Sequence, residues 1–318
     1  RKHSHYLNGL LSHAKIFVSF FAIVGTLKAQ FSVRWPPAFL SILAIFSSLS
    51  LDLGVLSALF CLVRVSYFQS LIFSTLGLVV ALGMVYVVQR TKAHDRGRRS
   101  LCTKIAVYLL LFAYPSVSVK IVEAFGCHNI DGESYLRADY TVRCYTSDWW
   151  PIAAYAGVFL VVYVVAMPLF VMATLMQYAR HHHGLNAAPD GLMLGFLLDD
   201  YNMETIPMMW DGVEMIRKLF LSVVGSCWAD QSPLAIATAM VLAAFFLALQ
   251  LSIRPFKSDV CNWVQTCSLI VLCFLYLGGM MLKAGMVEED GQIGVFLVLC
   301  LFTPICASLS AILLDIHA

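Results

Sequence analysis

Seven stretches of this chain are apolar over about the length of a membrane-spanning helix, and no other feature restricts the fold as strongly. They lie at 36–60, 67–88, 105–125, 151–176, 234–251, 264–282 and 294–314. Crossing the hydrocarbon core of a bilayer takes about 20 residues of helix. An eighth stretch, 215–228, reaches that length only if the preceding residues WDGVE continue its helix in the headgroup region. The sequence therefore predicts an all-α polytopic membrane helix bundle of about eight spans.

The composition supports a lipid-embedded chain. Of its 318 residues, 60% are hydrophobic and 13% are charged, whereas soluble domains carry about 25% charged residues. A net charge of +2 gives no reason to expect a nucleic-acid partner. The chain begins at Arg1 without a signal-peptide pattern, so we expect it to be a piece of a longer protein.

The orientation follows from the basic residues, since short cytoplasmic loops are enriched in Lys and Arg. The loop at 90–104 holds Arg90, Lys92, Arg96, Arg98, Arg99 and Lys104. We therefore expect this loop and the loop at 177–214 in the cytoplasm, and the loop at 126–150 outside. The protein is expected in the plasma membrane or another surface membrane. The residues that test this topology are Arg98 and His182 inside, and Glu133 and Glu289 outside.

The N-terminal residues 1–35 are expected to form an interfacial helix, followed by the transmembrane bundle at 36–318. The apolar part, 16–27, lies between Lys15 and Lys28 and covers only about 18 Å as a helix. It lies in the cytoplasmic interface, or it crosses inward from an outer N-terminus. The flanking basic residues favour an amphipathic helix in the membrane plane.

Two cysteines frame the predicted outer loop. Cys127 and Cys144 enclose CHNIDGESYLRADYTVRC, and an outer surface is oxidising. A disulfide between them stabilises the fold by about 3 kcal/mol in the chain-entropy model. Cys61, at the outer end of its span, is the alternative partner of Cys144.

We expect no enzyme, no cofactor and no metal site. The sequence contains no phosphate-binding glycine loop and no hydrolase, kinase or zinc-protease motif. The run of three histidines at 181–183 has no cysteine or carboxylate at ligand spacing, which favours a solvated helix end over a metal tract.

Three ionisable residues fall within predicted spans: Asp52, Lys120 and Glu123. Placing a charge inside a membrane costs free energy unless the charge is paired with an opposite charge or hydrated. Each of these residues is therefore a functional candidate. Asp52 and Lys120 are predicted at similar depth. They form either a structural pair or part of an ion path.

A second group of charges precedes the short apolar stretch: Asp199, Asp200, Asp211, Glu214, Arg217 and Lys218. Glu214 lies three and four residues before Arg217 and Lys218, so these side chains can pair along one helix face. An exposed pair at the cytoplasmic mouth of the fifth span contributes about 0.3–0.5 kcal/mol. The cluster is a membrane-entry anchor or a gating linker. Asp199 and Asp200 are expected to be solvated or to contact the loop at 90–104.

Several motifs recur in one order: HAKIFVSFFAIVGTL, FSVRWPPAF, LSLDLGVLSALFC, GCHNIDGESYLRADYTVRC, GFLLDDYNMETIPMMWDGVEMIRKLFL and RPFKSDVCNWVQTCSL. In this order the chain resembles the C-terminal multi-span region of large protist and algal surface proteins with cysteine-rich, EGF-like or ephrin-receptor-like ectodomains. It also has a looser similarity to transient-receptor-potential-like proteins of fungi. Asp211 stands where that family usually has Glu.

The resemblance implies an extracellular domain before Arg1 and a bilayer-embedded C-terminal region. The function expected first is a membrane domain with channel-like, transient-receptor-potential-like character. The alternatives are a membrane anchor or signalling receptor for the extracellular domain, and a structural membrane subunit that binds other membrane proteins.

Overall fold

A computed structural model describes residues 2–31, 33–49, 66–91, 96–181, 201–202, 209–227, 233–287 and 292–317. The helices are α1 (Lys2–Gln30), α2 (Pro37–Leu49), α3 (Tyr67–Thr91), α4 (Arg96–Glu123), α5 (Trp149–Phe159), α6 (Ala166–His181), α7 (Trp210–Cys227), α8 (Pro233–Ile253), α9 (Asp259–Lys283) and α10 (Gln292–His317). A π-helical segment, Leu160–Val165, connects α5 to α6. The strands are β1 (Cys127–Ile130), β2 (Glu133–Leu136) and β3 (Asp139–Arg143).

The chain divides into two compact units. Unit 1 comprises Arg1–Ser50 and Asp200–Ala318, and unit 2 comprises Leu51–Asp199. Unit 1 therefore contains α1, α2 and α7 to α10, and unit 2 contains α3 to α6 and the strands.

Within the described residues, six helical segments are long and apolar enough to cross a membrane: Tyr67–Thr91, Leu101–Glu123, Trp149–Gln177, Pro233–Ile253, Asp259–Lys283 and Gln292–Ser310. They correspond to six of the predicted spans, and the chain is a multi-pass integral membrane protein. The expected total of about eight spans is not confirmed. The predicted first span, 36–60, is described only where α2 covers it.

The predicted span at 215–228 has a different character. Helix α7 is 18 residues long and does not belong to the segments apolar enough to cross a membrane. The reason is its first half, which carries Asp211, Glu214, Arg217 and Lys218. The sequence analysis placed these charges on this helix but expected them to be exposed, whereas Asp211, Glu214 and Arg217 are buried.

Helix α1 is longer than its apolar stretch predicts and is packed inside unit 1. It contacts α2, α7 and α9, and its side chains Phe20, Ile23, Val24 and Leu27 are fully buried. These side chains belong to one core with residues of α2, α7, α8, α9 and α10. The apolar residues of α1 thus pack against protein. Its predicted orientation in the membrane plane stays a prediction.

Helix α9 is the centre of unit 1, with α1, α8 and α10 packed around it. Two glycines allow this close packing. A Cβ on Gly279 would lie 2.7 Å from Cη2 of Trp35, and a Cβ on Gly278 would lie 2.7 Å from Cδ2 of Leu297. Side chains at these positions would push Trp35 and α10 away from α9.

In unit 2, α3 and α4 form an antiparallel hairpin. Near one end, the amide of Gln89 donates to Thr103 Oγ1 at 3.4 Å. Toward the other end, Lys120 Nζ donates to Ser70 Oγ at 3.0 Å. Most of the outer surface of α3 is apolar and exposed, as expected for a helix that faces lipid.

A three-stranded antiparallel sheet, in the order β1-β2-β3, follows α4. The sequence analysis expected an all-α protein and did not predict these strands. Asp131 and Gly132 connect β1 to β2 with φ of 52° and 88°, which is the geometry of a two-residue type I′ hairpin. In the sequence, this hairpin is indicated by the dipeptide Asp-Gly between two short segments whose residues favour β-strands.

The predicted disulfide is confirmed: Cys127 and Cys144 are bonded, with Cα atoms 6.3 Å apart. It joins the start of β1 to the residue after β3, and Leu136, Trp149 and Ala153 pack beside it. The alternative partner, Cys61, lies outside the described residues.

The π-helical segment lies within the span that runs from α5 into α6. Pro168 has no N–H to donate to the carbonyl of Val164 four residues before it. The hydroxyl of Tyr114 on α4 donates to that carbonyl oxygen at 2.8 Å. A backbone group in a spanning helix cannot rely on water, so Tyr114 supplies the hydrogen bond that the proline removes.

Candidate functional site

Unit 1 contains a network of charged and polar side chains between three helices. Helix α1 contributes Lys15 and Ser19, α7 contributes Asp211, Glu214 and Arg217, and α9 contributes Gln265; Tyr201 joins from the segment before α7. We call these seven residues the buried charge network. The network connects parts of the chain that are up to about 250 residues apart in sequence.

The first part of the network is centred on Asp211. The ammonium of Lys15 lies 2.5 Å from Asp211 Oδ1, and the hydroxyl of Tyr201 donates to the same oxygen at 3.0 Å. Lys15 Nζ also donates to the Tyr201 hydroxyl at 3.2 Å and lies 4.9 Å from the centre of its ring. Asp211 is 3% exposed, so its charge depends on these partners.

The second part is centred on Glu214, one turn further along α7. Arg217 donates to both carboxylate oxygens of Glu214, with Nε at 3.2 Å from Oε1. The hydroxyl of Ser19 donates to Oε2 at 3.2 Å, and the amide of Gln265 donates to Oε1 at 2.9 Å. Arg217 also donates to Ser19 Oγ at 3.2 Å. One ion pair on α7 is thereby connected to both α1 and α9.

The Glu214–Arg217 pairing agrees with the prediction, but the environment differs from it. The sequence analysis expected an exposed pair at a helix entry, and the residues are 8% and 3% exposed. Asp211 pairs with Lys15 of α1, a residue outside the charge group that the sequence analysis identified. Lys218 itself is half-buried. Asp199 and Asp200 lie outside the described residues.

Apolar side chains surround the network. Ile16, Trp210, Phe256, Cys261 and Val264 form a buried cluster with Tyr201 on one side, and the main core of unit 1 lies on the other. The two cations and two carboxylates of the ion pairs sum to zero charge, and the half-buried Lys218 on α7 interacts electrostatically with all four. Such a group is tolerated in a low-dielectric interior only while every member keeps its partner.

Tyr201 holds the segment before α7 on the turn between α8 and α9. It forms an isolated antiparallel bridge with Phe256, and their rings are 5.0 Å apart. The N–H of Asn202 donates to the carbonyl of Pro255 at 2.9 Å. The amide of Asn262 holds the turn itself, because it donates to the carbonyl of Phe256 at 2.8 Å and accepts from its N–H at 3.1 Å.

Sequence reasoning found only the α7 members of the network. It missed Lys15, Ser19, Tyr201 and Gln265. Lys15 and Ser19 are four residues apart and so lie on one face of α1, which was an available signal. Nothing in the sequence pairs that face with α7 or with Gln265.

The intramembrane candidates of unit 2 have a different arrangement. Lys120 donates to Ser70, and its backbone carbonyl accepts a hydrogen bond from the hydroxyl of Tyr67. Glu123 lies near enough to Arg137, between β2 and β3, to interact with it electrostatically. Asp52 lies outside the described residues, so its predicted pairing with Lys120 stays a prediction.

Asp139 connects the sheet to the start of α3. It accepts hydrogen bonds from the backbone N–H of Tyr67 at 3.1 Å and from the hydroxyl of Thr141 at 2.6 Å. Burial acts to raise the pKa of Asp139, but these hydrogen bonds and one from the N–H of Thr141 outweigh it and hold the pKa below its usual value.

Among the residues that the structure describes, no group of three or more His, Cys, Asp or Glu is arranged to hold a metal ion. His181 ends α6, and the next two histidines lie outside the described residues. The expectations of no cofactor and no catalytic activity stay predictions.

The chain was compared with protein-family models, with curated proteins and with solved structures, and nothing in any of the three matches it.

Proposed function

We propose that this chain is the membrane domain of a larger surface protein and that it has channel-like character, with the buried charge network as the element that responds when the domain changes state. The observation that carries the proposal is the network itself. Two ion pairs lie between α1, α7 and α9, with Asp211, Glu214 and Arg217 buried and Lys15 partly exposed, and the described residues contain six candidate spans. Ionisable groups inside membrane proteins are expensive and are typically retained for ion paths or for switching.

The network has the properties that a switching element needs. Each of its ion pairs is linked by hydrogen bonds to a helix other than α7: Lys15 and Ser19 belong to α1, and Gln265 belongs to α9. A shift of α7 along or around its axis would therefore disturb its contacts with α1 and α9 together. Packed interiors change between discrete arrangements and do not deform continuously.

The test combines whole-cell current with surface biotinylation in cells that express the chain. Glu214→Gln leaves Arg217 without a carboxylate, and Glu214→Gln with Arg217→Gln removes both charges and relieves that cost. We expect a current from the native chain and an altered current from the double variant at normal surface expression. Arg143→Gln, which removes an exposed guanidinium from the outer sheet, is the matched control and should leave the current unchanged.

The absence of any current from the native chain at verified surface expression contradicts the channel-like function. Restoration of both expression and current in the double variant contradicts a switching role, because it shows that the pair only needs to be neutral in sum.

A second candidate function is a membrane anchor or signalling receptor for an extracellular domain. The observation that favours it is the disulfide-closed sheet, which presents Tyr140 and Tyr145 with 55% and 65% of their surface exposed. Exposed aromatic side chains on a rigid sheet suit protein contacts. Under this function, Tyr140→Ser with Tyr145→Ser impairs signalling from the extracellular domain, and the native chain carries no current.

A further inference from the structure

We propose that the basic end of the α3–α4 hairpin binds the phosphate-bearing headgroups of anionic phospholipids. The basic end comprises Arg90 at the end of α3, and Arg96, Arg98, Arg99 and Lys104 in the first turns of α4. This inference concerns unit 2 and does not depend on the function proposed for the network of unit 1.

The basic end lies at the depth of lipid headgroups. The hydrogen bond between Gln89 and Thr103 shows that these residues lie at one level of the hairpin. The apolar span of α4 begins at Leu101. Helix α4 continues outward from Thr103 to Arg96, a rise of about 10 Å at 1.5 Å per residue. The headgroup layer is about 5–7 Å thick on each side of the hydrocarbon core, so the basic residues extend across it.

Arg90 is held in place for such a contact. Its Nε donates to the hydroxyl of Tyr86 at 2.9 Å, and its guanidinium lies 5.4 Å from the centre of the Tyr86 ring. Tyr86 is 54% exposed and belongs to the apolar outer face of α3. Among the described residues, none hydrogen-bonds to the terminal nitrogens of the exposed Arg90 side chain. Arginine binds a phosphate through two parallel hydrogen bonds of this kind.

The two ends of the hairpin differ in charge. The stretch 90–104 contains six basic residues and one acidic residue, whereas the stretch 126–148 beyond the other end contains two basic and four acidic residues. Only the first end complements an anionic leaflet. Clusters of four to eight basic residues next to a span are the usual sequence feature of anionic-lipid binding.

The helical register favours lipid over an acidic segment of protein. Successive helix positions are about 100° apart, so Arg96, Arg98 and Arg99 occupy positions distributed around α4. One acidic strand or loop faces a single side of a helix. A layer of lipid headgroups surrounds a helix that crosses it, and therefore neutralises all of these positions.

The experiment uses the full chain purified in a neutral detergent. Binding of dioctanoyl phosphatidylinositol bisphosphate and of dioctanoyl phosphatidylcholine is measured by microscale thermophoresis. We expect the bisphosphate lipid to bind and the phosphatidylcholine not to. The triple variant Arg96→Gln, Arg98→Gln and Arg99→Gln should bind the anionic lipid on the order of 100-fold more weakly, because each basic group near a charged headgroup contributes a factor of about five.

Three controls make the result specific. Arg143→Gln removes an exposed basic residue elsewhere in unit 2 and should leave lipid affinity unchanged. The single variant Arg90→Gln should weaken binding about five-fold, which provides a test if the triple variant does not fold. Inositol trisphosphate, the headgroup without its acyl chains, should compete only weakly.

The proposal is overturned by equal affinity for the two lipids, or by native-like affinity in both the triple variant and Arg90→Gln. If inositol trisphosphate competes with an affinity equal to that of the lipid, the ligand of the basic end is a soluble phosphate compound. Tighter lipid binding by the variant Asp199→Asn with Asp200→Asn shows that these acids occupy the basic end in the native chain. Both results contradict a lipid-occupied site.

Discussion

Unit 1 and unit 2 both contain candidate spans, but they place their polar side chains differently. In unit 1, charged groups of α1 and α7 are buried and bound to one another, and the span α9 is 56% buried inside the protein. In unit 2, the span α3 is only 22% buried, and the basic residues lie at its end. Unit 1 is organised by contacts within the protein, whereas much of the surface of unit 2 is left to lipid.

The difference has a physical cause. Lipid tails are as apolar as leucine, so burying apolar surface contributes little to the free energy with which spanning helices associate. Packing and interhelical hydrogen bonds must hold them together. Unit 1 supplies these with the buried charge network and with the close approach at Gly278 and Gly279. In unit 2, single hydroxyl groups, such as those of Tyr114 and Tyr155, make the interhelical hydrogen bonds.

The largest expected effect is a loss of stability in unit 1. Glu214→Gln leaves the buried guanidinium of Arg217 without a carboxylate, and we expect a loss of about 3–5 kcal/mol in the free energy of unfolding. The measurement is denaturant-induced unfolding in detergent micelles. Glu133→Gln removes one partner of an exposed ion pair with Arg143 and should cost less than about 1 kcal/mol. Equal losses in the two variants would show that the network is not buried.

The second effect concerns the three-stranded sheet of unit 2. Cys127→Ser with Cys144→Ser opens a loop with a sequence separation of 17 residues. We expect a loss of about 3 kcal/mol in the chain-entropy model. Limited proteolysis between residues 127 and 144 should become faster in this variant while the helices of unit 1 stay protected. An unchanged proteolysis rate contradicts a stabilising role for the disulfide.

Some features of the molecule can be predicted from the sequence, and others cannot. Span length is a local property, since the bilayer thickness sets it, and for this reason six of the predicted spans coincide with helices that are long and apolar enough to cross a membrane. The disulfide was predicted from its position in one loop. The network was not, because Lys15 and Asp211 are about 200 residues apart and no local pattern connects them. For the same reason, the charges on α7 were interpreted as exposed.

The third effect tests the single hydroxyls that support unit 2. Tyr114→Phe leaves the carbonyl of Val164 without its hydrogen bond, and we expect a loss of about 1–3 kcal/mol. The measurement is thermal unfolding in detergent. Tyr140→Phe removes a hydroxyl from an exposed residue and serves as the matched control. If both variants unfold at the native temperature, Pro168 does not require a partner from α4.

The smallest effect is a pH dependence in the sheet. The pKa of Asp139 lies below its usual value of 3.8. Its contribution is therefore fully present above about pH 4 and is lost as the pH falls through the lower folded-state pKa. The protection factors of the Tyr67 and Thr141 amides, which correct for the intrinsic pH dependence of exchange, should fall in acid. In Asp139→Asn, these protection factors should be the same at neutral and acidic pH. The same pH dependence in the variant would assign the effect to another group.

The central claim is that α1 and α7 are joined through buried opposite charges, and a double-mutant cycle on Lys15 and Asp211 tests it most directly. Lys15→Met leaves the buried carboxylate of Asp211 without its cation and should lower the free energy of unfolding by about 3 kcal/mol or more. Asp211→Leu leaves the ammonium of Lys15 without its carboxylate, and the loss should be smaller because that side chain is 19% exposed and can reach water. The double variant removes both charges and should recover at least half of the summed loss. Losses that simply add, to within about 0.5 kcal/mol, would mean that these two residues do not interact.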